Sequence, residues 1–189
     1  RFLDSRGIEL PETSEQNVEL GSVEALAREK ERRYMKRLKG GDIHPYRDAV
    51  GFVEALRRRG LSAAVVSSSH DSDRLLQQLD IQNLFDVRVD GTDIIVSGMN
   101  GKPAPDIYLQ AARRLGVSPL SASVFEECEL GVRAAKAGTF AKVIGVIRRG
   151  NGDKLAKAGA DLLINNFHQL EIDGSVSSLE TDEDNRRGD

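Results

Sequence analysis

Three short stretches of the sequence carry residue types that could do chemistry together. "VVSSSHD", Val65 to Asp71, is an apolar run that breaks into three hydroxyls. "GKPAPDIYLQAARRLGV", Gly101 to Val117, puts a lysine before two closely spaced prolines and then opens an amphipathic pattern. "VFEECELGVRAAKAG", Val124 to Gly138, follows a short apolar run with two adjacent carboxylates, Glu126 and Glu127. Serine hydroxyls and the amides of a following turn can donate to phosphate oxygens; they can equally cap the next helix. Proline fixes its own φ and biases the preceding residue toward extended geometry, so Lys102 sits in a stiff approach that could aim an ammonium, or could simply be a solvated lysine at a helix start. Two neighbouring carboxylates repel, and a hard divalent cation with oxygen ligands would relieve that repulsion. The favourable field at a helix N-terminus is the competing explanation.

The elements that carry the apolar periodicity must bring these stretches together. "VEALAREKERRYMKRLK" has Val23, Leu26, Tyr34, Met35 and Leu38 at roughly helical spacing among many charges and stops at Gly40-Gly41, which predicts a helix with a wide wet face. A second helix, "RDAVGFVEALRRRG", carries Val50, Val53 and Leu56 on one stripe and ends at Gly60. Beyond it the pattern alternates. Short apolar strands are expected in "LSAAVVSSS", "FDVRVD", "SASVF", "KVIGVI" and "DLLIN", with helices around "DRLLQQLD", after Lys102, and around "GVRAAKAG" and "DKLAKAG". A Gly- and Asp-rich connection follows "FDVRVD". Such alternation predicts an α/β fold, a Rossmann-like parallel sheet with helices on both faces, and ligand sites in such sheets lie beyond the carboxyl ends of the strands. Ser67, Ser68 and Ser69 end one strand and Glu126 and Glu127 another, with Lys102 in the connection between.

Composition narrows the class. The 189 residues are 39% hydrophobic with a net charge of −3, and basic residues are interspersed with acidic ones, so no nucleic-acid footprint is expected. No apolar run approaches membrane-spanning length. One cysteine, Cys128, excludes an intrachain disulfide and fits a cytoplasmic protein; it is expected to pack as a small hydrophobe without chemistry. The chain opens on Arg1 and reads as beginning inside a longer protein. Its end, Ser175 to Asp189, is acidic and lacks apolar periodicity, so residues 173–189 are expected to form a disordered tail or a linker to another domain.

In that order and at those separations, the three stretches resemble motifs two, three and four of the haloacid dehalogenase superfamily, and within it the β-phosphoglucomutase-like group. The resemblance runs from about Gly41 to Leu170. It implies residues 1–40 as the carboxyl-terminal remnant of a helical cap and residues 41–172 as the α/β core. It further implies that Ser67 binds a phosphoryl group with help from Ser68 and Ser69, that Lys102 neutralises phosphoryl oxygens, and that Glu126 and Glu127 hold Mg²⁺. Lys30 matches a cap lysine that meets the substrate phosphate. The implied activity is Mg²⁺-dependent phosphoryl transfer on a small phosphorylated metabolite, a sugar phosphate, by a phosphatase or a sugar-phosphate mutase.

The pattern departs in three places. No apolar strand near the amino terminus ends in Asp-x-Asp, the superfamily's nucleophile motif: "FLDSRG" lacks an apolar strand around it, and "TDEDN" has no buried strand before it. In this fold the strand bearing that motif is central, so its absence would leave two neighbouring strands with open hydrogen-bonding edges. That argues for a partly represented protein over a naturally shortened one. The alternative is an inactive phosphate-binding or regulatory module inside a larger chain. Glu127 stands where relatives have Asp, and one extra methylene displaces the carboxylate, to which Mg²⁺ geometry is sensitive. His70 and Asp71 stand where relatives have a basic residue and Asn; His70 reads as a solvated residue before a helix, and Asp71 is tolerable near phosphate only if it turns to cap that helix.

Overall fold

The computed structural model describes residues 7–11, 21–41 and 43–172, and the expected tail at 173–189 lies outside these. The chain divides into two compact units, residues 1–44 and residues 45–189.

In the first unit, helix α1 (Val23–Lys39) covers the stretch expected from its periodicity. The Ser22 hydroxyl accepts from the Ala25 amide at 3.1 Å, satisfying one of the donors a helix start leaves free. Its wet face is stitched by pairs one turn apart, Glu24 with Arg28 and Glu29 with both Arg32 and Arg33. The Arg32 guanidinium, with Arg33 beside it, holds the Glu29 carboxyl down at about 2.

The second unit opens with α2 (Arg47–Arg58), ended by Gly60 in the left-handed region at φ 74°. Then come β1 (Ala64–Val66), α3 (Ser72–Gln78), β2 (Val87–Val89), α4 (Gly91–Val96), α5 (Asp106–Leu115), β3 (Ser123–Glu126), α6 (Glu129–Ala137), β4 (Lys142–Val146), α7 (Gly152–Lys157) and β5 (Leu162–Ile164). All strand pairs are parallel. Five short strands separated by helices are the expected α/β pattern. The expected Gly- and Asp-rich connection after β2 instead contains α4, started by a capping box in which Asp90 and Asp93 each accept from the other's backbone amide.

The single sheet expected from the alternation is two. β1 pairs only with β2, and β3, β4 and β5 pair in that order. Among the described residues, one edge of β1 and one edge of β3 therefore have no strand beside them.

Alternation along β4 shows how both faces are covered. Val143 points into the main core with Val89, Ile107, Val132 and Leu155, all fully buried. Ile144 and Val146, of opposite parity, join Ile164 in a second cluster with Phe125 and Phe167. On the first face α5 packs on β1 and β2 while α6 packs on β3 and β4, and the two helices touch. On the second, Phe52 of α2 sits 5.4 Å from Phe125 and 5.0 Å from Phe167, ring centre to ring centre. The other end of α2 reaches the β2 side, where Arg57 pairs with Asp86 at 2.9 Å. Both sheets thus share one core and one cross-lying helix.

No helix among the described residues is long and apolar enough to cross a membrane.

Candidate active site

The chemistry-bearing residues lie at the carboxyl ends of β1 and β3. Lys102 reaches over from the β2–α5 connection, and its ammonium donates to Glu126 Oε1 at 2.5 Å. Side-chain exposures of 15% for Lys102 and 10% for Glu126 make this a largely enclosed pair. The Lys102–Pro103 peptide is cis. The two prolines lead directly into α5, whose residues Ile107, Tyr108, Ala111 and Ala112 are buried against the core. Lys102 is thus anchored through a helix that is itself anchored by packing.

Glu126 is held from every side. Tyr108, in the first turn of α5, donates its hydroxyl to the same Oε1 as Lys102, and its ring lies under the ammonium, 5.0 Å from centre to nitrogen. Oε2 accepts from the Cys128 amide at 3.4 Å and from the Cys128 thiol at 3.3 Å. A carboxylate has about four lone-pair positions, and four donors fill them. Burial, reinforced by the Glu126 charge and hydrogen bond, drives the Tyr108 phenol far above its ordinary pKa, so it stays a donor. Gly131 completes the enclosure: a Cβ there would fall on the Glu126 carboxyl group.

Cys128 differs from expectation. It is exposed, and it works as the N-cap of α6, its sulfur accepting from the Gly131 amide at 3.3 Å. Burial first, then the Glu126 charge, pushes its thiol above the usual range, which favours the protonated form that donates to Glu126.

Glu127 follows with its side chain exposed. Its carbonyl accepts from the Asn151 side-chain amide at 2.8 Å, which ties the acidic turn to the start of α7. Among the described residues no group of three or more His, Cys, Asp or Glu side chains is arranged to hold a metal.

At the end of β1, the Ser67 hydroxyl accepts from the Ser69 amide at 3.1 Å and the Ser69 hydroxyl from the Asp71 amide at 3.4 Å. These hydroxyls shape the turn, and each keeps its own proton available to donate outward. Ser68 and Ser69 are exposed and Ser67 half-buried. The Ser68 carbonyl and the His70 ring stand so close to Gly91 that a Cβ there would come within 2.8 Å of both. His70 is exposed, as expected. Asp71 occupies the N-cap position of α3 without making a side-chain cap bond, so the capping role that would make it harmless near phosphate is not filled. Lys30 is exposed on α1, in the first unit.

The structure therefore joins Lys102 with Glu126, sets Glu127 next in the same turn and places the serines at the carboxyl end of β1, in the other sheet. Tyr108 and Gly131 were not singled out from sequence. Their signals were present: a tyrosine six positions past Lys102 on the buried stripe of α5, and a glycine in the first turn after the acidic pair.

The arrangement has a definite charge. Lys102 is balanced by Glu126, and Glu127 adds one negative charge, so the cluster is net negative where it would have to meet an anion. A phosphoryl group would need another cation there.

Comparison with known proteins gives a consistent result. Residues 5–139 match the profile of haloacid dehalogenase-like hydrolases. A β-phosphoglucomutase of Mycobacterium bovis is 35% identical over 173 residues, which is 89% of this chain and 66% of that protein. A phosphorylated carbohydrates phosphatase of Thermotoga maritima is 37% identical over 119 residues, 62% of this chain and 53% of that protein. Among solved structures, a β-phosphoglucomutase from Clostridium difficile superposes with a TM-score of 0.66 at 25% identity, covering 82% of this chain and 65% of that one. The chain thus spans about two thirds or less of the relatives it resembles.

Proposed function

Given that the chain belongs to the haloacid dehalogenase-like hydrolase family, we propose that it serves phosphoryl transfer on a small phosphorylated sugar, as the core of a cytoplasmic phosphatase or sugar-phosphate mutase that uses Mg²⁺. The observation that carries this reading is the enclosed pair of Lys102 and Glu126 at the carboxyl ends of the strands. The names of the relatives, a β-phosphoglucomutase and a phosphorylated carbohydrates phosphatase, support the substrate class and leave both reaction types open.

Each residue has a task. Lys102 spends one of its three N–H donors on Glu126 and keeps two for phosphoryl oxygens. Ser67, with Ser68 and Ser69 beside it, offers hydroxyl donors from the end of β1. Positioning and charge neutralisation of this kind carry most of the catalysis in phosphoryl transfer. Lys30 would meet the substrate phosphate from the cap.

The residues present fit Mg²⁺ in a water-rich form. This ion commonly takes one or two carboxylates, with waters and substrate oxygens completing its octahedron, so a dedicated cage is unnecessary. Glu127 is the freer carboxylate, while both Glu126 oxygens are engaged. When bound, the ion would supply the positive charge that the Lys102, Glu126 and Glu127 cluster lacks.

On this reading the nucleophile would come from an Asp-x-Asp strand, a motif this sequence does not contain. The unpaired edges of β1 and β3 favour that reading, since a strand added beside either would find free backbone donors and acceptors. A second reading is a phosphate-binding module that does not turn over its ligand, and it rests on the absence of an Asp-x-Asp stretch from this sequence. The deciding experiment measures phosphate release from a panel of sugar phosphates, with and without Mg²⁺, by this chain and by the chain extended through its upstream reading frame. Release by the extended form supports the enzyme. Phosphate binding without release by either form supports the module, and absence of both sinks the two readings together.

A further inference from the structure

We propose that Tyr108 is a positioning residue for Lys102: its phenol, donating to the Glu126 oxygen that the ammonium also holds, fixes that carboxylate in place as the lysine's counter-charge. The inference rests on the phosphoryl-transfer reading for its purpose, and on the geometry of Tyr108, Glu126 and Lys102 for its substance.

Packing does not account for the hydroxyl. The Tyr108 ring is 4% exposed and meets Phe140 edge to face at 6.2 Å, contacts that a phenylalanine would make equally well. Burying a hydroxyl is unfavourable unless it finds a partner, and the partner here is the one carboxylate that holds Lys102. The two donors converge on Oε1 from different elements, Lys102 from the connection and Tyr108 from α5 itself. Without the phenol, Oε1 would keep the ammonium as its one donor, and only the two longer contacts from Cys128 to Oε2, at 3.4 and 3.3 Å, would oppose a turn of the carboxylate about its last bond. Lys102 would follow it, because the ammonium has no other hydrogen-bond partner among the described residues. With the phenol, Lys102 is held from two sides, by the carboxylate in front and the ring beneath.

The same contact has a consequence for the metal. An Oε1 that receives both a phenol and an ammonium has no lone pair free for a cation, so releasing the phenol should make Glu126 a better metal ligand while making Lys102 a poorer anion ligand. A generally weakened site would lose both together.

The test uses the full 189-residue chain and its Tyr108→Phe variant. The first readout needs no ligand: the Lys102 ammonium signal in ¹H–¹⁵N NMR, assigned by its loss in Lys102→Arg, reports how fast its protons exchange with water. Exchange should accelerate roughly three- to tenfold in Tyr108→Phe, the factor corresponding to one hydrogen bond. The second readout is affinity for inorganic phosphate, expected to fall, and for Mn²⁺ by electron paramagnetic resonance, expected to rise by about the same factor. Unchanged lysine exchange in Tyr108→Phe, or a lysine already in free exchange in the unaltered chain, overturns the proposal. A fall in Mn²⁺ affinity alongside phosphate overturns it too. If the unaltered chain binds neither ligand yet the lysine exchange still accelerates, Tyr108 keeps its role and the phosphoryl-transfer reading fails instead. Should Tyr108→Phe unfold, Glu126→Gln tests the same link from the other side, and a slow lysine signal that persists in that variant overturns the proposal.

Discussion

The Glu126 carboxyl group occupies the space that a side chain at Gly131 would need. A glycine in the first turn of α6 is therefore part of the site. Gly131→Ala should push the Glu126 carboxylate off its donors rather than move the backbone, so the fold should survive with a loss of about 1–3 kcal/mol. Phosphate affinity should fall by more than that loss alone would bring, because Lys102 loses its counter-charge geometry. Thermal melting and phosphate titration of the same variant check both halves, and a variant that melts and binds normally contradicts the placement.

Lys102 and Glu126 are enclosed enough for their separation to matter. Lys102→Met should cost roughly 3–5 kcal/mol by leaving the Glu126 charge without its cation. Lys102→Met combined with Glu126→Gln should recover part of that cost. Denaturant unfolding of the single and double variants gives the coupling directly.

If Glu127 is the carboxylate that meets the metal, Mg²⁺ together with phosphate should raise the melting temperature of the unaltered chain, and chelation should reverse the rise. Glu127→Gln should abolish the effect without altering the melting temperature measured in chelator, since the side chain is exposed. A rise that persists in Glu127→Gln would put the metal elsewhere.

Asp48 and Arg148, a hundred positions apart, meet at 2.9 Å, and Asp48 also accepts from the Phe167 amide at 3.1 Å. The Arg148 guanidinium lies 4.1 Å over the Tyr46 ring. Burial pushes the Asp48 carboxyl upward, but the Phe167 amide and Arg148 outweigh it and hold it below its ordinary value. A depressed folded pKa contributes stability that is present above the unfolded value, near pH ~4, and is lost as pH falls through the folded one. Melting temperature should therefore drop on acidification from about pH 4 downward, and Asp48→Asn should be less stable at neutral pH with a shallower acid slope. Equal slopes in both proteins would assign the acid sensitivity to other carboxylates.

Much of this arrangement is legible in the residues, and its limits are physical. Helix α1 follows its charged periodicity from Val23 to Lys39, because an exposed helix depends on local signals such as the Ser22 cap. The five strands follow their apolar runs for a similar reason: a buried parallel strand has little room for other residues. Helix α4 hides because "GTDIIV" has β-branched residues and only six positions, and its capping box is the one local cue. Cys128 was expected to pack as a hydrophobe, but the turn between β3 and α6 leaves an amide at Gly131 that the sulfur satisfies. Lys102 and Glu126 were visible as separate candidates. Their direct pairing, and the Tyr108 hydroxyl on the same oxygen, depend on how α5 packs, which short-range spacing does not encode.

Because β1–β2 and β3–β4–β5 are separate ladders, hydrogen bonding does not carry cooperativity from one to the other. What couples them is side-chain contact through the shared core and α2, so the molecule should open in two steps of different free energy. The amides of β4, paired on both sides and flanked by Val143, Ile144 and Val146, should exchange with deuterium only by near-global opening. Those of β1, half-buried and paired on one side, should exchange through a smaller excursion that carries Ser67 with it. The serine end of the site would then be the compliant side and the Lys102–Glu126 end the fixed one, an asymmetry that lets an incoming anion be gathered by one wall and aligned by the other.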